Sequence, residues 1–337
     1  MTGCYNYIDL NDIAVSSLLS IDYKDEFIIT TEIRENEKDN PNASIFYEGK
    51  GKTIDETLHN INLKLNKVLY LGDLNTIVIT ENLINTKLNE TLDYLARSSN
   101  IGYNFRILVS NDNIKDIINI IKDKNKIVGS YLKETITNTY NNTINITFNK
   151  ILNNYLNEYH DIILPYLQIE KDNIIIDKAI IFNSNNEVIY LNNNDVIIYN
   201  LLNNKLNYGL IPIKYNNKEI VYQIKSTNNK LEYKDKLIIN IDLTGSFNEI
   251  ENINLEEKET VDKLKKEIKN NLKEKIKHTM DILKDNNIDV IGIKKVFYNK
   301  ERNKIDSIKY IDYKTNINIK IEREELIFNA LGENNEI

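Results

Sequence analysis

Along this chain, short apolar runs broken by Asn, Lys and Asp alternate with stretches in which apolar residues return every three or four positions. Ile13 to Asp22 and Phe27 to Arg34 read as β-rich runs joined by the polar turn Tyr23-Lys24-Asp25-Glu26, which predicts a hairpin; Asp9 to Asp12 offers a helical turn before it. Ser44 to Glu48 predicts a third strand. It leads through Gly49-Lys50-Gly51-Lys52-Thr53 into a helix with Ile54, Leu58, Ile61 and Leu65 on one face. Leu74 to Thr80 predicts a buried strand, Leu88 to Ala96 a helix and Phe105 to Ser110 another strand. Helical spacing follows at Ile114 to Ile121, Ile127 to Tyr140 and Phe148 to Tyr159, and Pro165 predicts a break.

From Ile174 the pattern shortens. Strands are predicted at Ile174 to Asn183 and Val188 to Leu191, then a short helix at Asp195 to Leu202, then strands at Leu210 to Ile213, Glu219 to Ser226 and Leu231 to Leu243. Asn216-Asn217-Lys218 and Thr227-Asn228-Asn229-Lys230 read as the turns between them. The clearest element is Leu255 to Leu283, where Val261, Leu264, Ile268, Leu272, Ile276, Met280 and Leu283 form one apolar face, with Asn254 and Glu257 as an N-cap arrangement. Ile317, Ile319 and Ile321 alternate with Asn318, Lys320 and Glu322, a half-buried strand. The fold class is therefore α+β, with mixed sheets and packed helices. Three domains are expected: residues 4–170, an N-terminal α+β domain; 171–235, a small strand-rich middle domain; and 236–337, a C-terminal α+β domain carrying the long amphipathic helix.

Composition narrows the function classes. Among 337 residues the net charge is −7, so no global positive field exists to hold nucleic acid. One cysteine and three histidines leave neither an internal disulfide nor a Cys/His zinc constellation. Every apolar run ends well before the ~18 residues a transmembrane helix needs.

Candidate chemistry is sparse. The strand, glycines, Lys52, Thr53 and helix invite a P-loop reading, but the position that needs the first glycine of that motif is Phe46. Thr53 with Glu56 is instead a capping box. Asp55 and His59 lie one helical turn apart, a spacing compatible with a metal, yet nothing near them supplies a third ligand. His160 and His278 are isolated, and no pair of carboxylates stands out as acid and base. Neither a catalytic residue, a metal site nor a cofactor site is assigned. From Lys263 to Lys277 there are seven Lys against two Glu, which reads either as contact with anionic lipid or an acidic partner, or as a solvated face. The second is favoured, because Leu255 to Asp285 as a whole holds nine Lys against eight acids.

Thr2-Gly3-Cys4 resembles the end of a bacterial lipoprotein signal, in which a short box of small and apolar residues precedes a Cys that is alkylated with diacylglycerol. Met1 stands in place of the apolar residue, with no charged or apolar segment upstream, so the chain reads as a mature lipoprotein carrying a start Met. Cys4 is then a lipid anchor; the other reading is an incidental N-terminal thiol.

The run Gly3-Cys4-Tyr5-Asn6-Tyr7-Ile8-Asp9-Leu10-Asn11-Asp12-Ile13-Ala14-Val15 resembles the mature start of the C-subunit lipoproteins of spore germinant receptors. Gly51-Lys52-Thr53, Leu69 to Leu74, Ile77 to Glu81 and Leu92 to Arg97 resemble later blocks of that family in the same order. Tyr5 stands where the family usually has Trp, Asp73 where it usually has His, and Gly102-Tyr103 near where a second Arg is expected. The resemblance covers about the first 110 residues. It implies a three-domain α+β lipoprotein without catalytic activity, tethered through lipid on Cys4 to the outer face of the spore inner membrane. Its implied partners are the receptor's polytopic membrane subunits A and B, which sense nutrients. An extracytoplasmic ligand-binding lipoprotein would instead require a polar-lined cleft. An enzyme acting on spore envelope material would require convergent carboxylates in a cleft.

Overall fold

A computed structural model describes residues 12–35, 38–138, 140, 142–156, 160–182, 187–216, 218–247, 255 and 257–322. These form a mixed α/β protein with two mixed sheets and eight helices among the described residues. The packing divides into two compact units. Unit 1 runs to Val196 and takes in Ile288–Val290; unit 2 comprises Ile197–Asn287 and the chain from Ile291 onward.

In unit 1, β1 (Ile13–Tyr23) pairs antiparallel with β2 (Phe27–Arg34), which pairs with β3 (Ser44–Gly51). The other side of β1 is parallel, first to the short β4 (Val68–Tyr70) and farther along to β5 (Thr76–Thr80). β6 (Arg106–Ser110) and β7 (Ile162–Glu170) extend the parallel part, and β8 (Asn173–Phe182) and β9 (Val188–Leu191) close the sheet antiparallel, making nine strands. Helices cover both faces. α1 (Ile54–Asn62) packs on β2 and β3, and α2 (Glu81–Arg97) on β1 and β5. On the other face α3 (Ile114–Lys122) and α4 (Val128–Thr137) close a core of Leu18, Val78, Leu108, Ile117, Leu132 and Leu167. α5 (Phe148–Tyr155) packs on β7. A sheet covered on both faces buries every side chain in turn, so β1 is buried without interruption from Ser16 to Ile21.

Unit 2 is built around β10 (Gly209–Tyr215), β11 (Lys218–Tyr233) and β12 (Leu237–Phe247) in antiparallel order, with β13 (Tyr313–Ile321) parallel to β12. The long helix α7 (Lys258–Asp285) lays its apolar face against β10 and β13. α8 (Ile293–Glu301) contacts β11, and α6 (Asn193–Leu202) begins in unit 1 and ends in unit 2.

Several expectations for single elements are corrected. Pro165 lies inside β7, opposite Ala179. β7 meets β6 only at Val109–Tyr166, so a residue without an N–H is tolerated there. Thr227 to Lys230 is not a turn: it continues β11, paired with Leu243 to Asn240 of β12. The reason is a side-chain substitute for a neighbouring strand, since Asn204 accepts from the Asn229 N–H at 2.5 Å and donates to the Asn229 carbonyl at 2.8 Å. The turn falls instead at Lys234 to Lys236, inside the run expected to be one strand. α7 starts at Lys258, with Glu257 at its N-cap position; Asn254 lies outside the described residues. Thr260 and Thr279 share its buried face, and Val261 is only half-buried. α2 starts seven residues before the expected Leu88, because Thr80 caps it and a kink at Lys87 interrupts its periodicity. The expected limits at 170/171 and 235/236 fall in the β7–β8 and β11–β12 hairpins.

Candidate functional site

Cys4, with Thr2 and Gly3, lies outside the described residues, as does the expected turn before Asp12. The end of unit 1 from which this segment departs is described. Ile13 to Val15 open β1 and pair with Val68 to Tyr70. The Asn62 side chain at the end of α1 accepts from the Leu69 N–H at 2.8 Å and so fixes β4 to α1. The Tyr70 ring folds over Gly72, where a Cβ would lie 2.4 Å from its hydroxyl, and Gly102 packs on the Gly72 carbonyl. Leu71 then bridges to Ile101.

The glycines that suggested a phosphate loop have another use. A Cβ on Gly49 would stand 2.7 Å from the Thr57 carbonyl, and one on Gly51 2.9 Å from the Thr57 N–H. They let β3 approach the backbone of α1. The Thr53 hydroxyl caps the Glu56 N–H at 3.1 Å, while Glu56 accepts from the Lys52 N–H, one residue before the capping position, at 2.8 Å. The first turn also holds Asp55, which accepts from the Tyr94 hydroxyl at 3.4 Å, and the last turn holds an exposed His59. No group of three or more His, Cys, Asp or Glu that could hold a metal occurs among the described residues.

Inside unit 1 lies a polar site that the periodicity did not reveal. Glu32 is fully buried in β2 and accepts four hydrogen bonds: Val128 N–H at 2.8 Å, Gly129 N–H at 2.9 Å, Ser17 Oγ at 2.5 Å and Ser44 Oγ at 2.9 Å. α4 has no cap from its own N-cap residue, Ile127, so a carboxylate from another strand satisfies its first N–H groups and faces the positive end of its dipole. Gly129 permits the approach, because a Cβ there would lie 2.1 Å from the Ser17 carbonyl. The available signal was polar: Ser16, Ser17, Thr31 and Glu32 stand among the apolar residues of two neighbouring strands.

The C-terminal ends of parallel strands are where open α/β sheets usually receive ligands. Here two carboxylates at those ends bind their own chain. Asp22 accepts from Thr80 Oγ1 at 2.6 Å, and Asp112 from the Ile169 N–H at 2.7 Å. Tyr166 and Tyr190 meet edge to face at 5.8 Å. Burial and then hydrogen bonding to Glu81 push the Tyr190 hydroxyl up to about 12, and the same causes raise Tyr166. Such phenols are held neutral, which suits a structural hydrogen bond better than proton transfer.

In unit 2 the lysines of α7 do not form an unopposed array. Lys263 pairs with Glu259 at 2.7 Å and Lys277 with Asp281, both one helical turn away. The hollow at its first turns is lined by Lys258, Glu259, Asp262, Lys263 and Lys266, of both signs. Lys275 is half-buried, and desolvation lowers its pKa. His278 is exposed on the same helix, and His160 precedes β7. No helix among the described residues is long and apolar enough to cross a membrane.

Comparison with known proteins adds what the geometry leaves open. Residues 6–169 match the family model of the spore germination protein N-terminal domain, and residues 177–325 match the spore germination B3/GerAC-like C-terminal model. The crystal structure of the GerBC protein superimposes with a TM-score of 0.58 over 90% of this chain and 97% of that one, at 16% identity, a likeness of fold. No curated protein matches the chain. The two family models meet between 169 and 177, whereas the compact units divide at Val196, because β8 and β9 complete the first sheet.

Proposed function

The chain belongs to the spore germination family of GerAC-like proteins, a non-catalytic germinant-receptor family, and from that premise we propose that it is the receptor's lipid-anchored subunit. In this reading diacylglycerol on Cys4 holds it at the outer face of the spore inner membrane, where it binds the polytopic A and B subunits. The observation that carries the proposal is the pair of family models matched in succession along most of the chain. The three-part division into residues 4–170, 171–235 and 236–337 is retained as a proposal for the domain organisation. Each buried CH₂ of an acyl chain contributes ~0.8 kcal/mol, so two or more chains give a stable anchor. Cys4→Ser in a precursor with a complete signal, expressed in sporulating cells, releases the protein from the membrane fraction. Retention at the wild-type level together with the A and B subunits would show that protein contacts hold it; retention without them would remove the receptor reading.

A further inference from the structure

The surface at the start of β1 combines two independent observations. It is the point where the segment bearing Cys4 joins the described chain, and it carries exposed apolar and aromatic side chains at Leu63 (71% exposed), Val68 (46%), Tyr70 (42%) and Tyr103 (44%). Their contacts make these residues neighbours. Leu63 caps α1 beside Asn62, which holds β4; Tyr70 lies over Gly72; Gly102 packs on Gly72; and Tyr103 follows it, its hydroxyl donating to the Ala96 carbonyl at 2.6 Å. Tyrosines that keep an apolar ring and a polar tip at a surface suit a membrane–water boundary.

Chain length bears on which end of the sheet this boundary meets. From Cys4 to Ile13 there are nine peptide steps, which reach at most about 30 Å. In register, Ile21 stands level with Ile79, Val109 and Tyr166, so Glu170 at the end of β7 lies about twelve residues beyond the level of Ile13, at most roughly 40 Å at ~3.3 Å per residue and less once the strands twist. The tether joins the chain at the β4 end and so holds that end near its anchor, while the Glu170 end stands farther off along the strands.

We infer that the β4 end of unit 1, with Leu63, Val68, Tyr70 and Tyr103, is the face that rests on the lipid surface. The inference rests on the proposed acylation of Cys4. Because acylation blocks the native thiol, Val68→Cys and Glu170→Cys each give one labelling site in the full lipidated chain. A fluorophore on each, in protein reconstituted into vesicles containing nitroxide-labelled lipid, reports contact with the bilayer. Strong quenching at position 68 and little at 170 is the expected result, and Leu63→Ser with Tyr70→Ser reduces the quenching at 68. An intact mass with the diacylglyceryl group but equal quenching at both positions, or none at 68, overturns the face while leaving the anchor standing. A mass without the lipid overturns both.

Discussion

The two sheets solve opposite problems with similar residues. β1 in unit 1 is buried from Ser16 to Ile21 without a break, whereas β10 in unit 2 alternates, with Ile211 and Ile213 buried and Leu210, Pro212 and Lys214 exposed. One sheet has helices on both faces; the other has α7 on one face and a polar face opposite. A polar side chain in the first sheet must find protein partners, and Glu32 finds four. On the second sheet Asn316 donates to Asn240 at 2.9 Å and Asn318 to Asp242 at 3.2 Å, both exposed, where water can replace them. The same strand chemistry therefore has large consequences in one unit and small ones in the other.

The sharpest way to break this contrast is Glu32→Ala. It leaves the Val128 and Gly129 N–H groups and the Ser17 and Ser44 hydroxyls without their acceptor in a buried site. The expected loss is about 3–5 kcal/mol, read as a fall in the urea midpoint, with lost amide protection at the start of α4. A loss below about 1 kcal/mol would mean that water reaches the site, and unit 1 would no longer differ from unit 2.

Ile268→Ala tests the other side. Ile268 is fully buried at the centre of the α7 stripe, between Leu264 and Leu272. Its truncation is expected to cost about 2–5 kcal/mol by lost burial and cavity formation. Hydrogen exchange should quicken in β10 to β13 while β1 and β5 keep their protection. Equal loss of protection in both sheets would show a single cooperative unit and erase the contrast.

Legibility in the sequence followed the same division. α7 was readable because a helix with one covered face repeats its apolar residues at Leu264, Ile268, Leu272, Ile276 and Met280, and β13 because Ile317 and Ile319 alternate with exposed partners. Thr53 and Glu56 were readable as a cap because that signal is local. What failed depended on distant partners. Thr227 to Lys230 has turn composition, and only Asn204 makes its backbone part of a strand. Pro165 has breaker chemistry, and only the short β6–β7 ladder tolerates it. Glu32 carries no local signal within the predicted hairpin, because the N–H groups that it accepts from belong to α4, about a hundred positions on. The proposed membrane face was half legible: an anchor at Cys4 is an expectation that the sequence offers, but β4 has only three residues and was not predicted at all.

The smallest expected effect carries the last test. Asn318→Ala removes one exposed side-chain hydrogen bond to Asp242 and leaves the β12–β13 ladder intact. Water is available to both groups, so the loss should stay within about 0.5 kcal/mol in the urea midpoint. Asn is a poor strand former, so part of even that loss is returned when the side chain goes. A loss above about 1 kcal/mol would mean that something covers the polar face of the second sheet. Unit 2 would then have two covered faces like unit 1, and its alternation would record a buried polar interface in place of a wet surface.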